Sequence, residues 1–268
     1  MTLEAVKFKN ENKLDYSKLK MKEFNTLPLL SGVYKFSSGI FNFDLLCVRN
    51  DDSSVVEYFW TNKKNNTDLN LWGDITKETG IYIDVGSHTG LYTIVGLKSN
   101  TNNFVISIEP SYLNLGRMMS NLRLNDLLRN HMKILAAASD TTGVKNFLFH
   151  PDLSFMSKGG RISENGDPVH VLKLDDIHVK DDRKIRGIKI DTEGEDYKVL
   201  LGAKNIIENN LPDILIEVRE ENKRLIRDFL ISYGYKFFLV LEQPCETNLI
   251  DLDINDSINI FACVKETN

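Results

Sequence analysis

The 268-residue sequence lacks the features of disulfide-stabilised and membrane-spanning proteins. Its three cysteines, Cys47, Cys245 and Cys263, are odd in number and far apart, which indicates reduced thiols rather than a disulfide framework or a metal site. No apolar run approaches the roughly 20 residues that cross a bilayer, and the N-terminus has no apolar stretch of signal-peptide length. These absences predict a cytoplasmic protein without a membrane span.

Basic residues are also outnumbered in this chain. The 33 Lys and Arg residues face 38 Asp and Glu residues, which gives a net charge of −5, whereas nucleic-acid binding normally requires a basic face. We therefore expect a small-molecule or glycan partner rather than a nucleic acid, and an assembly of identical subunits stays open. Hydrophobic residues make up 42% of the chain, enough to build the core of one large α/β domain with an N-terminal extension.

Residues 1–78 predict an N-terminal arm and a small β meander. The polar arm covers residues 1–28, with a short helix near residues 16–24. Three β-rich runs separated by Ser-Ser-Gly and Asn-Asp-Asp then indicate antiparallel strands. These runs cover residues 32–36, 41–49 and 54–60. A polar loop at residues 61–70 and a helix at residues 72–79 lead into the rest of the chain.

From residue 79 to 268, short apolar runs alternate with helical stretches, which predicts a mostly parallel sheet covered on both faces. The predicted strands cover residues 81–85, 104–109, 133–138, 185–191, 213–218, 235–241 and 258–265. The predicted helices cover residues 91–98, 112–128, 195–209 and 219–233. Because no helix separates the last two strands, we expect them to form a hairpin with an antiparallel edge strand. The fold class is α/β, doubly wound.

An inserted hairpin at residues 144–180 interrupts this alternation. Its two strands flank a Gly- and Ser-rich loop at residues 151–168, in a place where a lid over the strand ends could lie. The histidines beside this loop, His150 and His170, are interpreted as structural. The insertion belongs to the predicted domain 79–268.

Polar residues follow the first predicted strand, at the edge where doubly wound sheets bind ligands. Asp84, Gly86 and Gly90 lie in the sequence Asp-Val-Gly-Ser-His-Thr-Gly. The glycines allow a sharp turn and a close ligand approach. Their G-x-x-x-G spacing differs from the G-x-G-x-x-G that seats a pyrophosphate, and the carboxylate of Asp84 favours a cationic or amino-bearing ligand.

Acidic residues recur at the ends of the later strands. Glu109, followed by Pro110, lies about 20 residues beyond the glycine loop, where a carboxylate can accept hydrogen bonds from ribose hydroxyls. Ser111 is expected to cap the following helix. Ala138 and Ser139 indicate either a slot for an adenine ring or simple close packing. Three further acids end the fourth and fifth strands, at positions 191, 193 and 217.

These residues resemble the FkbM family of class I methyltransferases, from about residue 54 to the C-terminus. The resemblance rests on IDVGSHTGLYT, on ISIEPSYLNL followed by Asn121 and Asn125, and on LAAASD, VLKLDDI, IKIDTEGEDYKVLLGA and ILIEV, in the order of the family. One departure is that the family usually has Ala-Asn where this chain has Ser87-His88. His88 could donate to the cofactor carboxylate or could titrate in the cleft.

The resemblance implies a seven-stranded sheet, S-adenosylmethionine as methyl donor, and O-methylation of a hydroxyl on a sugar, glycan or other natural product. Glu109 and Pro110 would lie at the ribose, Ala138 and Ser139 would flank the adenine, and Asp191 would lie near the transferred methyl group. The methionine part would be held by the loop residues Asp84, Gly86, Ser87, His88, Thr89 and Gly90.

The acids suggest a mechanism and its alternatives. Asp191 is expected to act as the base or to orient the acceptor, while Glu193 and Glu217 shape the acceptor site. A less favoured alternative has these three acids binding Mg²⁺, and no His or Cys spacing suggests zinc. Two other classes stay open: an NAD-type oxidoreductase on the same fold, and a non-catalytic scaffold that binds the cofactor.

Overall fold

The structure is a computed structural model that describes residues 1–12, 16–19, 23, 26–61, 66–149 and 160–264. Its strands are β1 Ser31–Ser38, β2 Phe41–Val48, β3 Ile81–Val85, β4 Phe104–Glu109, β5 His131–Leu135, β6 Ala137–Ala138, β7 Gly143–Leu148, β8 Arg161–Ile162, β9 Asp167–Leu172, β10 Ile185–Ile190, β11 Asp213–Arg219, β12 Lys236–Leu239, β13 Cys245–Thr247 and β14 Ser257–Cys263. Its α-helices are α1 Leu3–Glu11, α2 Ser53–Thr61, α3 Thr67–Ile75, α4 Leu91–Ser99, α5 Tyr112–Leu124, α6 Asp196–Leu201, α7 Lys204–Asn210 and α8 Lys223–Ile231.

The main sheet confirms the α/β class. It has eight strands in the order β13-β12-β14-β11-β10-β3-β4-β5, and the five from β11 to β5 are mutually parallel. All five residues of β3 are buried, as expected for a strand whose two faces are covered by helices. The last two predicted strands, β12 and β14, pair antiparallel as expected. One detail differs from the sequence prediction: the three-residue β13 makes an eighth strand and takes the edge position beside β12.

A second sheet of four strands, β6-β9-β7-β8, carries the predicted inserted hairpin, since β7 and β9 pair antiparallel. The predicted strand 133–138 is divided between the two sheets. Its first part belongs to β5, whereas Ala137 and Ala138 leave β4 and pair with β9. The predicted lid loop lies outside the described residues over positions 151–159, as does His150.

The N-terminal prediction was right for the hairpin β1–β2 and wrong for residues 54–60, which form helix α2. Asp52 explains the change, because its Oδ1 accepts the backbone N–H groups of Ser54 and Val55 at 3.0 Å and so caps the helix. The apolar residues of α2 are buried at helical spacing rather than alternating between two faces.

The helices expected at residues 112–128 and 219–233 are shorter in the structure, Tyr112–Leu124 and Lys223–Ile231, and two others differ more. The helix expected at residues 72–79 begins at Thr67, where the side chain of Asn66 accepts the N–H of Leu69. The helix expected at residues 195–209 is broken into α6 and α7 at Gly202. Gly202 passes so close to Ser139 that an added Cβ would lie 2.1 Å from the Ser139 carbonyl oxygen.

Two apolar clusters cover the two faces of the sheet. One contains side chains from the N-terminal elements, such as Phe36, Trp60 and Trp72, together with Ile94 and Met118 of the sheet-covering helices. The other lies between the sheet and helices α6 to α8. A domain boundary after residue 78 stays a prediction. Over the described residues, no helix is long and apolar enough to span a bilayer.

Candidate active site

A cavity of about 370 Å³ opens at the carboxyl ends of β3, β4, β10 and β11. The fold explains its position, since parallel strands end there together and their connecting loops diverge. The cavity is lined by Ser54, Glu57, Tyr58, Asn66, Gly86, Ser87, His88, Thr89, Leu91, Tyr92, Ile108, Glu109, Pro110, Ala136, Ala137, Ala138, Phe147, Gly160, Ile162, Lys189, Asp191, Thr192, Glu193, Glu195 and Glu217.

The loop after β3 is held tightly by its neighbours. Gly86 has φ of +73°, and an added Cβ would lie 1.8 Å from the carbonyl oxygen of Asp191. The N–H groups of Gly86 and Ser87 both donate to the Ile108 carbonyl, at 2.9 and 3.1 Å. A glycine is therefore required where the β3 and β10 loops meet.

Glu109 fixes the same loop from the end of β4. Its Oε2 accepts the backbone N–H of His88 at 2.9 Å, and its Oε1 accepts from Ser111 N at 2.9 Å and Asn114 Nδ2 at 3.1 Å. Burial raises the pKa of Glu109 to about 7, although these hydrogen bonds favour the ionised form. Ser111 caps α5 through the N–H of Asn114, which confirms the predicted cap.

His88 has φ of +48°, a left-handed conformation that is uncommon for a residue with a side chain. Its backbone N–H points to Glu109, while its Nδ1 lies 3.3 Å from Thr89 Oγ1. The ring lines the cavity in a half-buried position. Its place in the site is thus set by a backbone contact to Glu109.

Asp84 lies beneath the cavity rather than in its wall. Its side chain is fully buried, and Oδ2 accepts the hydroxyl of Thr93 at 2.7 Å. That hydroxyl is 2.6 Å from Ser107 Oγ, which in turn is 3.0 Å from His131 Nε2. Oδ1 of Asp84 has no hydrogen-bond partner among the described residues, and burial raises the pKa of this carboxyl.

An ion pair between a buried lysine and a half-exposed aspartate lies at the end of β10. The Nζ of Lys189 lies 2.8 Å from Asp191 Oδ2 and 4.5 Å from the centre of the Tyr92 ring. Burial opposes its charge, but the carboxylates of Asp191 and Asp84 together raise the pKa of Lys189. Lys189 therefore stays charged and holds Asp191 at the cavity wall, where 39% of that side chain is exposed.

The other two predicted catalytic acids share one arginine. Arg219 Nη2 lies 2.6 Å from Glu193 Oε2 and 3.1 Å from Glu217 Oε2. Burial and then the neighbouring charges of Glu217 and Asp191 raise the pKa of Glu193. No group of three or more side chains suited to a metal ion occurs within the described ranges, so the Mg²⁺ alternative gains no support from this arrangement.

The loop that carries Asp191 and Glu193 is shaped by Asp196. Its Oδ1 accepts the N–H and the hydroxyl of Thr192, both at 2.9 Å, and its Oδ2 accepts the N–H of Gly194 at 3.2 Å. Asp196 is fully buried at the start of α6. Its carboxylate therefore fixes the backbone of this loop through hydrogen bonds to Thr192 and Gly194.

Small side chains line the cavity next to the second sheet. Ala136, Ala137 and Ala138 lie on one side of it, with Phe147 and Ile162 of the inserted sheet also in the lining. Ser139 does not line the cavity; its hydroxyl lies beneath, 3.0 Å from Lys145 Nζ. This part of the cavity is lined by apolar side chains.

Ten of the predicted site residues line this one cavity, whereas Asp84, Gly90 and Ser139 lie behind its wall. The lining residues are Gly86, Ser87, His88, Thr89, Glu109, Pro110, Ala138, Asp191, Glu193 and Glu217.

Sequence reasoning missed the wall contributed by the N-terminal elements. Ser54, Glu57 and Tyr58 of α2, with Asn66, line the cavity. Asn66 Nδ2 donates to the Tyr58 hydroxyl at 2.5 Å, and burial raises the pKa of Tyr58 to about 12. Ser54, Glu57 and Tyr58 are three and four residues apart, so they share one face if the segment is a helix. Interpreting residues 54–60 as a helix would therefore have grouped these three residues.

The protein has an α/β fold with a large and mostly parallel sheet. A model of the methyltransferase FkbM domain matches residues 84–237, more than half of the chain. The chain therefore belongs to the FkbM methyltransferase family.

Solved structures with similar folds have low sequence identity to this chain. The methyltransferase FkbM from Methylobacillus flagellatus KT has 17% identity and a TM-score of 0.48, over 77% of this chain and 52% of that one. This chain thus spans about half of that protein. TYW2 from M. jannaschii, in complex with AdoMet, has 12% identity and a TM-score of 0.45, over 88% and 86% of the two chains. No curated protein matches the sequence.

Proposed function

We propose that the protein is an S-adenosylmethionine-dependent O-methyltransferase that acts on a hydroxyl of a sugar, glycan or other natural product. One observation carries the proposal: the glycine loop, Glu109 and Asp191, distant in sequence, line one cavity at the carboxyl ends of the parallel strands. Membership of a methyltransferase family favours this reading over an NAD-type oxidoreductase.

The residues present fit this cofactor. Asp84 Oδ1 is buried without a hydrogen-bond partner in the described part of the chain, next to the loop that would hold the methionine part. Glu109 offers carboxylate oxygens for the ribose hydroxyls, and the alanine-lined slot at 136–138 suits a flat ring. When bound, S-adenosylmethionine supplies an activated methyl group on a sulfonium.

The chain's own residues would position the acceptor. Asp191, held by Lys189 at 2.8 Å, can accept the proton or the hydrogen bond of an acceptor hydroxyl, a role worth roughly 10²–10⁴-fold in rate for a general base. Glu193 and Glu217, fixed by Arg219, offer further acceptors for hydroxyl groups. Holding the hydroxyl in line provides much of the remaining rate enhancement.

The acceptor side of the cavity also includes Glu57 and Tyr58 of α2. Glu57 thus adds to the acids Asp191, Glu193 and Glu217 in the lining of the cavity, and this excess of negative charge disfavours phosphorylated or polyanionic acceptors. The proposed acceptor is a polyhydroxylated molecule, whose hydroxyl groups donate to carboxylates.

Two measurements test the function. Calorimetry with S-adenosylhomocysteine tests the cofactor, and the release of S-adenosylhomocysteine in the presence of sugars, glycans and polyketide-type alcohols tests the acceptor. The variant D191N should bind S-adenosylhomocysteine normally and lose roughly 10²-fold or more in turnover. Full turnover of D191N would remove the base assignment, and heat protection by NAD instead would favour the oxidoreductase.

A further inference from the structure

The N-terminal hairpin is joined to helix α5 by a row of side chains. Asn121 Oδ1 accepts the N–H of Leu46 at 2.8 Å, and Asn125 Oδ1 accepts the N–H of Asp44 at 2.9 Å. Asn125 Nδ2 also donates to the Asp44 carbonyl at 2.7 Å, and Arg117 Nη1 donates to the Leu46 carbonyl at 2.8 Å. Backbone N–H and C=O groups on this edge of β2 are thus hydrogen-bonded to side chains of a helix instead of to a neighbouring strand.

Helix and strand geometry explain this match. Residues four apart on a helix are about 6 Å apart along its axis, and residues two apart on a strand are about 6.7 Å apart. Side chains at positions 117, 121 and 125 share one helix face, and two of them, Asn121 and Asn125, contact Leu46 and Asp44, which are two residues apart on β2. Asn121 is fully buried in this joint.

Asn121 makes one contact that the other two residues do not. Its Nδ2 donates to the carbonyl of Thr89 at 2.9 Å, in the loop that lines the cavity. A single buried amide therefore connects the cavity loop, through Thr89, with the N-terminal hairpin, through Leu46. The matched family segment begins at residue 84, so the hairpin lies outside it.

We propose that Asn121 is a positioning residue that holds the cofactor loop through the carbonyl of Thr89. The oxygen of the same amide is fixed by the N–H of Leu46, so the N-terminal hairpin contributes to the support of this residue. This proposal rests on the proposed function, because it assigns the loop to the cofactor.

The test compares variants at two positions of the same joint. N121D keeps an acceptor for the Leu46 N–H but places a carboxylate against the Thr89 carbonyl, and N121A removes both contacts without adding charge. N125A is the matched control, because Asn125 anchors the hairpin through Asp44 and also donates to the backbone carbonyl of Asn121, but does not contact the loop. Loss of the Thr89 contact should weaken the binding of S-adenosylhomocysteine by about tenfold, whereas N125A should bind within about twofold of the wild type. Wild-type affinity in N121A, or an equal loss in N125A, would overturn the proposal.

Hydrogen exchange of the ligand-free protein gives a second readout. Both N121A and N125A should speed exchange in residues 41–48, but only N121A should speed it in residues 86–94. Unchanged exchange of the loop in N121A would also overturn the proposal. If the wild type binds no S-adenosylhomocysteine, the proposed function fails, and the exchange data alone still decide the role of Asn121.

Discussion

At the scale of single residues, Glu109 couples the site to pH. The carboxyl ionises at about 7 in the folded protein against an ordinary value of 4.5. Between these values the folded state binds more protons than the unfolded state, so the contribution of Glu109 to stability is present at low pH and lost as pH rises through about 7. The ionised form of Glu109 is the stronger acceptor for ribose hydroxyls, because both of its oxygens can accept and neither carries a proton.

We therefore expect the affinity for S-adenosylhomocysteine to rise about tenfold between pH 6 and pH 8, as the ionised fraction of Glu109 increases. Calorimetry across this range measures it. The variant E109Q should bind weakly and show little dependence on pH. The exposed residue Glu78 provides a control, since E78Q should follow the wild type. A wild-type affinity that is flat over this range would contradict the assignment of Glu109 to the ribose.

Gly86 and Gly194 offer a matched pair for testing the close approach of the two loops. Both have positive φ, of +73° and +107°, but only at Gly86 would a Cβ strike another atom, the Asp191 carbonyl oxygen; at Gly194 nothing lies within 4 Å. G86A should therefore lose about 3 kcal/mol or more in the free energy of unfolding. G194A should lose about 1 kcal/mol, from backbone strain alone. Urea denaturation measures both, and equal losses would show that the clash is relieved elsewhere.

The acids at the strand ends could be predicted because a doubly wound sheet brings the carboxyl ends of its strands to one edge. Asp191, Glu193 and Glu217 were found in this way. The sequence could not show that Asp84 and Ser139 lie behind the wall of the cavity. They lie at strand ends like the lining residues, and their side chains differ in direction. Arg219, which pairs with two of the acids, also carries no signal of its own in the sequence.

At the scale of elements, helix α2 shows where the pattern misleads. The run Val-Val-Glu-Tyr-Phe-Trp favours a strand by its β-branched and aromatic residues, yet tertiary packing buries five of its residues at helical spacing. Asp52 decides the start of the helix, and such a cap is easily missed when the following residues favour a strand. This error hid an entire wall of the cavity.

The cap of α2 gives a second stability test. D52A removes the acceptor of the Ser54 and Val55 N–H groups and should cost about 1 kcal/mol in the free energy of unfolding. D52S is the conservative control, because a serine hydroxyl can accept the same hydrogen bonds. Urea denaturation compares the two. An equal loss in both variants would show that the buried carboxylate acts by some contact other than the cap.

At the scale of the whole molecule, the N-terminal elements and the sheet share one core. Phe36, Trp60 and Trp72 belong to the same buried cluster as Ile94 and Met118. The alternation of strands and helices from residue 79 onward is regular enough to be found in the sequence. Such a pattern does not show which segment, from elsewhere in the chain, packs on the outer faces of the helices that cover the sheet. The N-terminal segment does so here, and it also supplies part of the cavity wall.

A shared core predicts that residues 79–268 do not fold cooperatively alone. Removal of residues 1–78 would expose the apolar faces of α4 and α5, at a cost of about 25 cal/mol for each Å² of apolar surface returned to water. We expect this fragment to show a broad denaturant transition by circular dichroism and no binding of S-adenosylhomocysteine. A chain that starts at residue 26 is the control: it loses Ala5 and Tyr16 of the shared cluster but retains the hairpin and α2, so it should be less stable and still show a single transition. A sharp transition and ligand binding in the 79–268 fragment would instead establish a domain boundary after residue 78. The ligand site would then be complete without the N-terminal elements.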